Sequence, residues 1–317
     1  MRPQSQHRLG LVLVTAAAAA WSTAPFFTRL LPFDAWTILI WRGVFSGGGI
    51  VAFLVLTEGR GGLIQLVSIG TSGWVVACLS TLGMVCFIPA LQLTSVANVA
   101  VINAVLPFVA AGLAWIWLQE PAQLRTLLAS LVALSGVVII VGGPQSGSDI
   151  FGIGMACSMV LAMAAMTVTI RRYKHTPMVA AAGLSNFIGS LLSVPFAHCL
   201  ASLSGTDFVM FAGFGFLQVG VGLTLFVLEP RQLPSAQASL VATLESPLMP
   251  FWVWLAFQEV PPNNALVGGT LVMGAVIADI AGDLHKKQPE AIPCTEVGWE
   301  RPRGLRRWQR PRSRKLR

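Results

Sequence analysis

Two ionisable side chains stand deep inside apolar stretches, and they are the first candidates for chemistry. Glu245 lies about eleven residues into the run 234–257, roughly 16 Å from one membrane face at about 1.5 Å per residue. Arg42 lies about eight residues into the run 34–57, roughly 12 Å from the opposite face. In a hydrocarbon core of about 30 Å these depths nearly coincide. A charged group at mid-span costs ~2.5–3.5 kcal/mol on insertion scales, so its presence points to function by default. The pair can face one cavity, either as an ion pair or holding opposite ends of a zwitterionic or anionic ligand. The planar fork of arginine suits a carboxylate. Glu245 could instead exchange a proton as its hydration changes. A structural ion pair, or an arginine that snorkels outward, is the plainer account.

Weaker candidates surround these two. Asn103 and Thr243 each precede a proline by four residues, Pro107 and Pro247. A proline returns no N–H to the preceding turn, and loosened carbonyls can serve a ligand or cation where the backbone lines a cavity. Interhelical hydrogen bonding explains the same residues. Trp21, Trp41, Trp115 and Trp117 lie in the interiors of runs or one turn from an end. One or two of them, Trp21 and Trp41 first, could stack on a planar ligand, although packing against lipid or core is the simpler account. Trp36, Trp74, Trp252 and Trp254 fit an interfacial belt.

Other chemistries find no support. Gly213-x-Gly215 and Gly220-x-Gly222 lack the Lys-Ser/Thr of a phosphate loop and sit in an apolar run without a preceding strand, so close helix contact is the better reading. There is no His-Glu-x-x-His helix and no mid-depth pair of aspartates. Cys78, Cys86, Cys157, Cys199 and Cys294 form no C-x-x-C pair. Neither a cofactor nor a metal is expected, and nothing points to an enzyme.

The elements that must position these residues follow from composition. Hydrophobic residues make up 55% of the 317 and charged ones only 11%, against roughly 25% charged in a soluble domain. Mean hydropathy is +0.72. Lipid is therefore the solvent. The apolar runs are continuous rather than alternating, which selects helices over barrel strands. Ten runs are predicted as spans: approximately 9–30, 34–57, 70–91, 95–118, 123–142, 150–171, 177–200, 208–228, 234–257 and 264–283. The first could mimic a signal peptide, but it continues through Trp21, Pro25 and Phe27 and reads as a retained helix.

The net charge of +8 belongs entirely to residues 285–317, which hold eleven Lys/Arg against three Glu. This basic tail reads as a disordered cytoplasmic extension. With the N-terminus inside, Arg2, Arg8, Arg60, Arg125, Arg171, Arg172, Lys174, Arg231 and the tail are cytoplasmic, and Arg29 alone is outside. Both termini are therefore expected in the cytoplasm, with the chain in a bacterial-type inner membrane.

An internal repeat is visible. Gln92-Leu93-Thr94-Ser95, Pro107 and Gln119-Glu120 are echoed by Gln232-Leu233-Pro234-Ser235, Pro247 and Gln258-Glu259. After each glutamate comes a glycine-bearing apolar helix, centred on Gly136 and Gly274. Five spans per unit is an odd number, so the second copy enters the membrane inverted, and such repeats place a cavity at their interface. The fold expected is an all-α integral membrane protein of ten transmembrane helices in two inverted five-helix repeats, 9–142 and 150–284, followed by the tail.

Ser95-x-Ala97, Pro107, Leu118-Gln119-Glu120-Pro121 and then Gly136-Val137-Val138-Ile139 resemble the EamA repeat of the drug/metabolite transporter superfamily. Trp21, Ser22 and Pro25 are similar to that family's opening helix. The resemblance covers about 9–284, and the second repeat departs from it at Gly154–Ser158, which lacks a tryptophan. It implies ten helices, a central cavity and movement of small metabolites, with Glu120 and Glu259 as the motif glutamates. The expectation is a secondary transporter of a small metabolite, amino-acid-like or otherwise polar or aromatic, working by alternating access with proton coupling as an option. An uptake carrier for a vitamin- or nucleoside-like compound is the alternative within that class; a channel or scaffold is the alternative outside it. Expected partners are a small-molecule substrate and membrane lipid, without nucleic acid, and a homodimer is compatible with the chain.

Overall fold

The computed structural model describes residues 3–119, 124–142, 147–173, 177–198, 203–222, 225 and 244–286. Among these residues the only regular structure is helix: α1 (Pro3–Ser22), α2 (Ala24–Leu30), α3 (Ala35–Glu58), α4 (Arg60–Val67), α5 (Gly70–Leu93), α6 (Val96–Ala104), α7 (Leu106–Leu118), α8 (Leu124–Val141), α9 (Gly147–Arg172), α10 (Met178–Ser193), α11 (Gly205–Phe214), a π-helical segment (Gly215–Val221), α12 (Glu245–Phe257) and α13 (Asn263–Lys286). Among the described residues five stretches are long and apolar enough to cross a membrane: Ala35–Glu58, Gly70–Leu93, Val96–Leu118, Gly147–Arg172 and Met178–Phe196. Shorter apolar helices cover Thr126–Val141 and Gly205–Val221. The protein is a multi-pass membrane protein.

Helix boundaries follow local chemistry. Asp34 caps α3: its Oδ2 accepts the Thr37 N–H at 3.0 Å and its Oδ1 the Thr37 hydroxyl at 2.7 Å. Ser95 caps α6 by accepting the Asn98 N–H at 3.2 Å. The run 9–30, expected as one helix, is interrupted at Thr23, with Pro25 in the first turn of α2. The run 95–118 is likewise interrupted at Val105, just before Pro107 opens α7. In each case a proline begins a helix because it has no N–H to return to the turn before it.

The Asp34 cap carries a pH signature. Burial works to raise its carboxyl pKa, but bonds from the Thr37 hydroxyl and N–H, the His198 backbone and its own N–H outweigh that and hold it below 3.8. A depressed carboxylate contributes stability that is complete above the ordinary value and is lost as pH falls through the folded one. Asp34→Ala is expected to cost about 1 kcal/mol at neutral pH, read as a lower melting temperature in detergent. The gap to wild type should close as the pH drops below 3.8.

Packing is between small residues rather than along amphipathic stripes, as expected when lipid is as apolar as the core. α8 and α13 run antiparallel. Gly136 and Gly268 meet backbone to backbone, so a Cβ on Gly136 would lie 2.6 Å from the Gly268 carbonyl oxygen. Asn264 Nδ2 donates to the Ile140 carbonyl at 3.0 Å at one end of this crossing, and the Thr126 hydroxyl to Asp279 Oδ1 at 3.0 Å at the other. The glycine expected at the centre of the second helix, Gly274, has nothing within 4 Å of its Cβ position; the contact belongs to Gly268.

α3 and α10 form a second crossing, where a Cβ on Gly43 would strike the Ser190 hydroxyl and lie 2.7 Å from the Asn186 carbonyl. The Ser190 hydroxyl donates to the Ile40 carbonyl at 3.0 Å. α5 lies along α9, α6 contacts α12 and α13, and α12 contacts α1 and α2. The main core gathers Ile38, Leu39, Ile88, Leu91, Phe211 and Phe214, all nearly or fully buried, with Met249 and Val253 of α12.

Candidate functional site

Arg42 projects from the middle of α3 and is only 3% exposed. Its Nε and Nη2 both donate to Gln218 Oε1, at 2.9 and 2.7 Å. Its guanidinium carbon lies 5.2 Å from the ring centroid of Phe214, within cation–π range. Phe214 stacks in turn on Phe27 at 5.1 Å with an interplanar angle of 10°. One face of the guanidinium is thus set by an aromatic stack from α11 and α2, and one edge by an amide from the π-helical segment.

Gly215 makes this meeting feasible. A Cβ there would fall 2.7 Å from Phe45 Cβ and 2.9 Å from the Ser46 nitrogen. The Ser46 hydroxyl donates to the Gly215 carbonyl at 3.3 Å. The backbone of the second half therefore rests directly on α3, and Gln218, one turn further on, reaches Arg42. π-helical turns recur at functional positions because the extra residue per turn re-aims side chains.

Glu245 is the first residue of α12 and is half-buried. The ion pair with Arg42, one of the two arrangements open to the sequence, is not formed. Arg42 has no carboxylate within ion-pair distance among the described residues, and its acceptor is Gln218. The reason is topological: α3 packs on α10 and the π-helical segment, whereas α12 packs on α1, α2 and α6. A cavity of about 260 Å³ opens between α6, α12 and α13, lined by small and apolar residues with Ser246 and Thr270 as its hydroxyls. Neither Glu245 nor Arg42 lines it.

The remaining candidates separate. Asn103 is half-buried near the end of α6 and lies outside that cavity's lining. Thr243 falls outside the described residues. Trp21 is half-buried on α1, its indole nitrogen against Gly222. Trp41 is half-buried and packs edge-on to Phe208 at 4.7 Å, and its Nε1 is buried without a hydrogen-bond acceptor among the described residues. Trp41 and Arg42 thus both reach α11 and its π-helical continuation.

Three features are not legible from residue types and spacing as read above. Gln218 is hidden among the glycines of its run, and a lone amide in an apolar stretch is the signal that could have found it. Trp252, expected at the interface, donates its Nε1–H to the Ser22 hydroxyl at 2.8 Å, tying α12 to α1. Arg29 pairs with the motif glutamate Glu259, Nε to Oε2 and Nη2 to Oε1 both at 3.2 Å, at about one-third exposure. Such exposed pairs contribute roughly 0–1 kcal/mol, so this one orients α2 against the end of α12 more than it stabilises it.

The two repeats share an unusual cap. α7 ends at Gln119 and α12 at Gln258, both left-handed with φ of 55°, a conformation uncommon outside glycine. Each glutamine amide folds back on its own helix, Gln119 Nε2 donating to the Ile116 carbonyl at 2.8 Å and Gln258 Nε2 to the Leu255 carbonyl at 3.4 Å. The same motif therefore builds the same local geometry in both halves.

Two stretches of the chain, residues 8–142 and 150–278, match the EamA-like transporter family. No curated protein matches the chain. A solved structure described only as "Crystal structure of protein" is similar in fold, with a TM-score of 0.61 at 16% identity over 90% of this chain and 99% of that one.

Proposed function

This chain belongs to the EamA-like transporter family, and from that premise we propose that it is a secondary transporter carrying a small polar or aromatic metabolite across a bacterial-type inner membrane by alternating access. In this reading ten spans form two inverted fives: α1–α2, α3, α5, α6–α7 and α8, then α9, α10, α11 with its π-helical continuation, α12 and α13. Both termini are cytoplasmic.

The observation that carries this reading is a set of helix contacts that exchange between the two halves. Number the spans one to ten and exchange the halves by adding or subtracting five. The pairs α3–α10, α6–α12 and α8–α13 then relate equivalent places in the two halves. The pair α5–α9 maps onto the contact of the π-helical segment with α1, and α7–α9 onto α12–α1; all of these contacts are present. Two halves related in this way can rock against each other about a site between them. Around that site the reading places Trp21, Trp41 and Asn103, with Glu245 as the coupling carboxyl.

Reconstitution into liposomes is the test. Saturable counterflow of a labelled metabolite against its unlabelled form is expected for a carrier. Flux that does not saturate would favour a channel, and the absence of any flux would favour a scaffold. An uptake carrier for a vitamin- or nucleoside-like compound would show the same counterflow with a different cargo.

A further inference from the structure

We propose that Arg42 receives a carboxylate of the transported molecule on the Nη1–Nη2 edge of its guanidinium, and that Gln218 is the positioning residue that presents this edge. The inference rests on the carrier reading above and narrows its cargo to small carboxylates.

A guanidinium offers two edges on which a carboxylate can sit with two parallel hydrogen bonds, one formed by Nε and Nη2 and one by the two terminal nitrogens. In this protein the first edge is filled, because Nε and Nη2 both donate to Gln218 Oε1. One face lies over the Phe214 ring. The terminal edge is unsatisfied: Nη1 is buried and has no hydrogen-bond acceptor among the described residues. The group is therefore held in orientation on two sides and left unsatisfied on the third.

Charge makes the same point. Arg42 is the one charged side chain among the described buried residues, and its bound partner is a neutral amide. An amide satisfies hydrogen bonds without compensating charge, so a desolvated cation remains with room in its valence for an anion. A glutamate in place of Gln218 would have made a closed structural ion pair. Glutamine keeps the fork in place and leaves the charge available. One unpaired positive charge matches a single carboxylate better than a dianionic phosphate. Gly215 belongs to the same device, since only a residue without a side chain lets the π-helical segment come close enough for Gln218 to reach.

The test uses the full-length protein in detergent, with its melting temperature read against the proteinogenic amino acids and short aliphatic and aromatic monocarboxylates, each beside its primary amide. At least one carboxylate is expected to raise the melting temperature by several degrees while its amide does not. Gln218→Glu is expected to raise the melting temperature of the unliganded protein and to abolish that carboxylate shift, because the new carboxylate satisfies Arg42 internally. Gln218→Leu keeps the charge but frees the fork, and should weaken the carboxylate about tenfold, the equivalent of one hydrogen bond. A purely structural Arg42–Gln218 bridge predicts instead that Gln218→Glu binds ligand as wild type does. That result, equal stabilisation by acid and amide, or a panel in which no carboxylate stabilises the protein would each overturn the proposal. Its failure is distinct from failure of the carrier reading: saturable counterflow of a neutral or cationic solute would survive the first, and carboxylate binding without any flux would survive the second.

Discussion

Gly136→Leu is expected to abolish the folded monomer. At the α8–α13 crossing a Cβ on Gly136 would lie 2.6 Å from the Gly268 carbonyl oxygen and 2.8 Å from a Val272 methyl, and one on Gly268 would lie 2.5 Å from the Gly136 carbonyl oxygen. Backbone cannot yield as a flexible side chain can, so the two helices must separate along their length. Separation also breaks the Asn264 bond to the Ile140 carbonyl and the Thr126 bond to Asp279. Overpacking a close-packed site costs about 1–3 kcal/mol for small insertions, and a leucine at a backbone–backbone contact exceeds that. Marginal stabilities of about 5–15 kcal/mol leave little reserve. Gly268→Leu should behave in the same way. So should Gly43→Leu at the α3–α10 crossing, where the Asn186 carbonyl is 2.7 Å from the added Cβ. Fluorescence-detected size exclusion in detergent reads the result as loss of the monodisperse peak. Gly274→Ala is the control: nothing lies within 4 Å of its Cβ position, and alanine in a helix interior is favoured over glycine by about 0.5–1 kcal/mol. A Gly136→Leu protein that stays monodisperse with wild-type melting would refute this account of the crossing.

Glu245→Gln is expected to uncouple transport from the proton gradient. The carboxyl sits half-buried at the first turn of α12. Pro247 and Pro250 follow within the same helix, so this turn is weakly tied to the helix body. A carboxyl at such a hinge is placed to change its hydration, and with it its protonation, in the rocking proposed for the two halves. Glutamine keeps the shape and removes the titration. In proteoliposomes with an imposed pH gradient, accumulation should fall at least ~10-fold, a loss of about 1.4 kcal/mol or more of coupling. Counterflow, which needs no net proton movement, should fall far less. Undiminished gradient-driven accumulation by Glu245→Gln would remove Glu245 from the coupling role.

Much of the architecture is legible in the residues. A shortage of charge across 317 residues demands lipid as solvent, and continuous apolar runs then demand helices. The echo of Gln119-Glu120 in Gln258-Glu259 marks the repeat, and both glutamines do adopt the same left-handed cap. Prolines announce where helices restart, although the breaks at Thr23 and Val105 divide runs that hydropathy alone joins. Arg42 and Glu245 are visible as ionisable groups in the wrong solvent.

What the residues by themselves determined is therefore solvent, helix, repeat and the short set of polar side chains out of place. Tertiary structure alone decided which of those side chains meet. Arg42 is held by Gln218, 176 positions away, and not by Glu245; Gly136 is met by Gly268 and not by Gly274. The physical reason is common to both. In water an amphipathic stripe tells a helix which face to bury, but here core and lipid are equally apolar and the stripe disappears. Partner and rotation are then set by where small residues allow two backbones to touch, and by a π-helical turn that shifts the register beyond it. It was that turn, resting on Gly215, that gave a buried arginine an orienting amide on one edge and left its other edge unsatisfied.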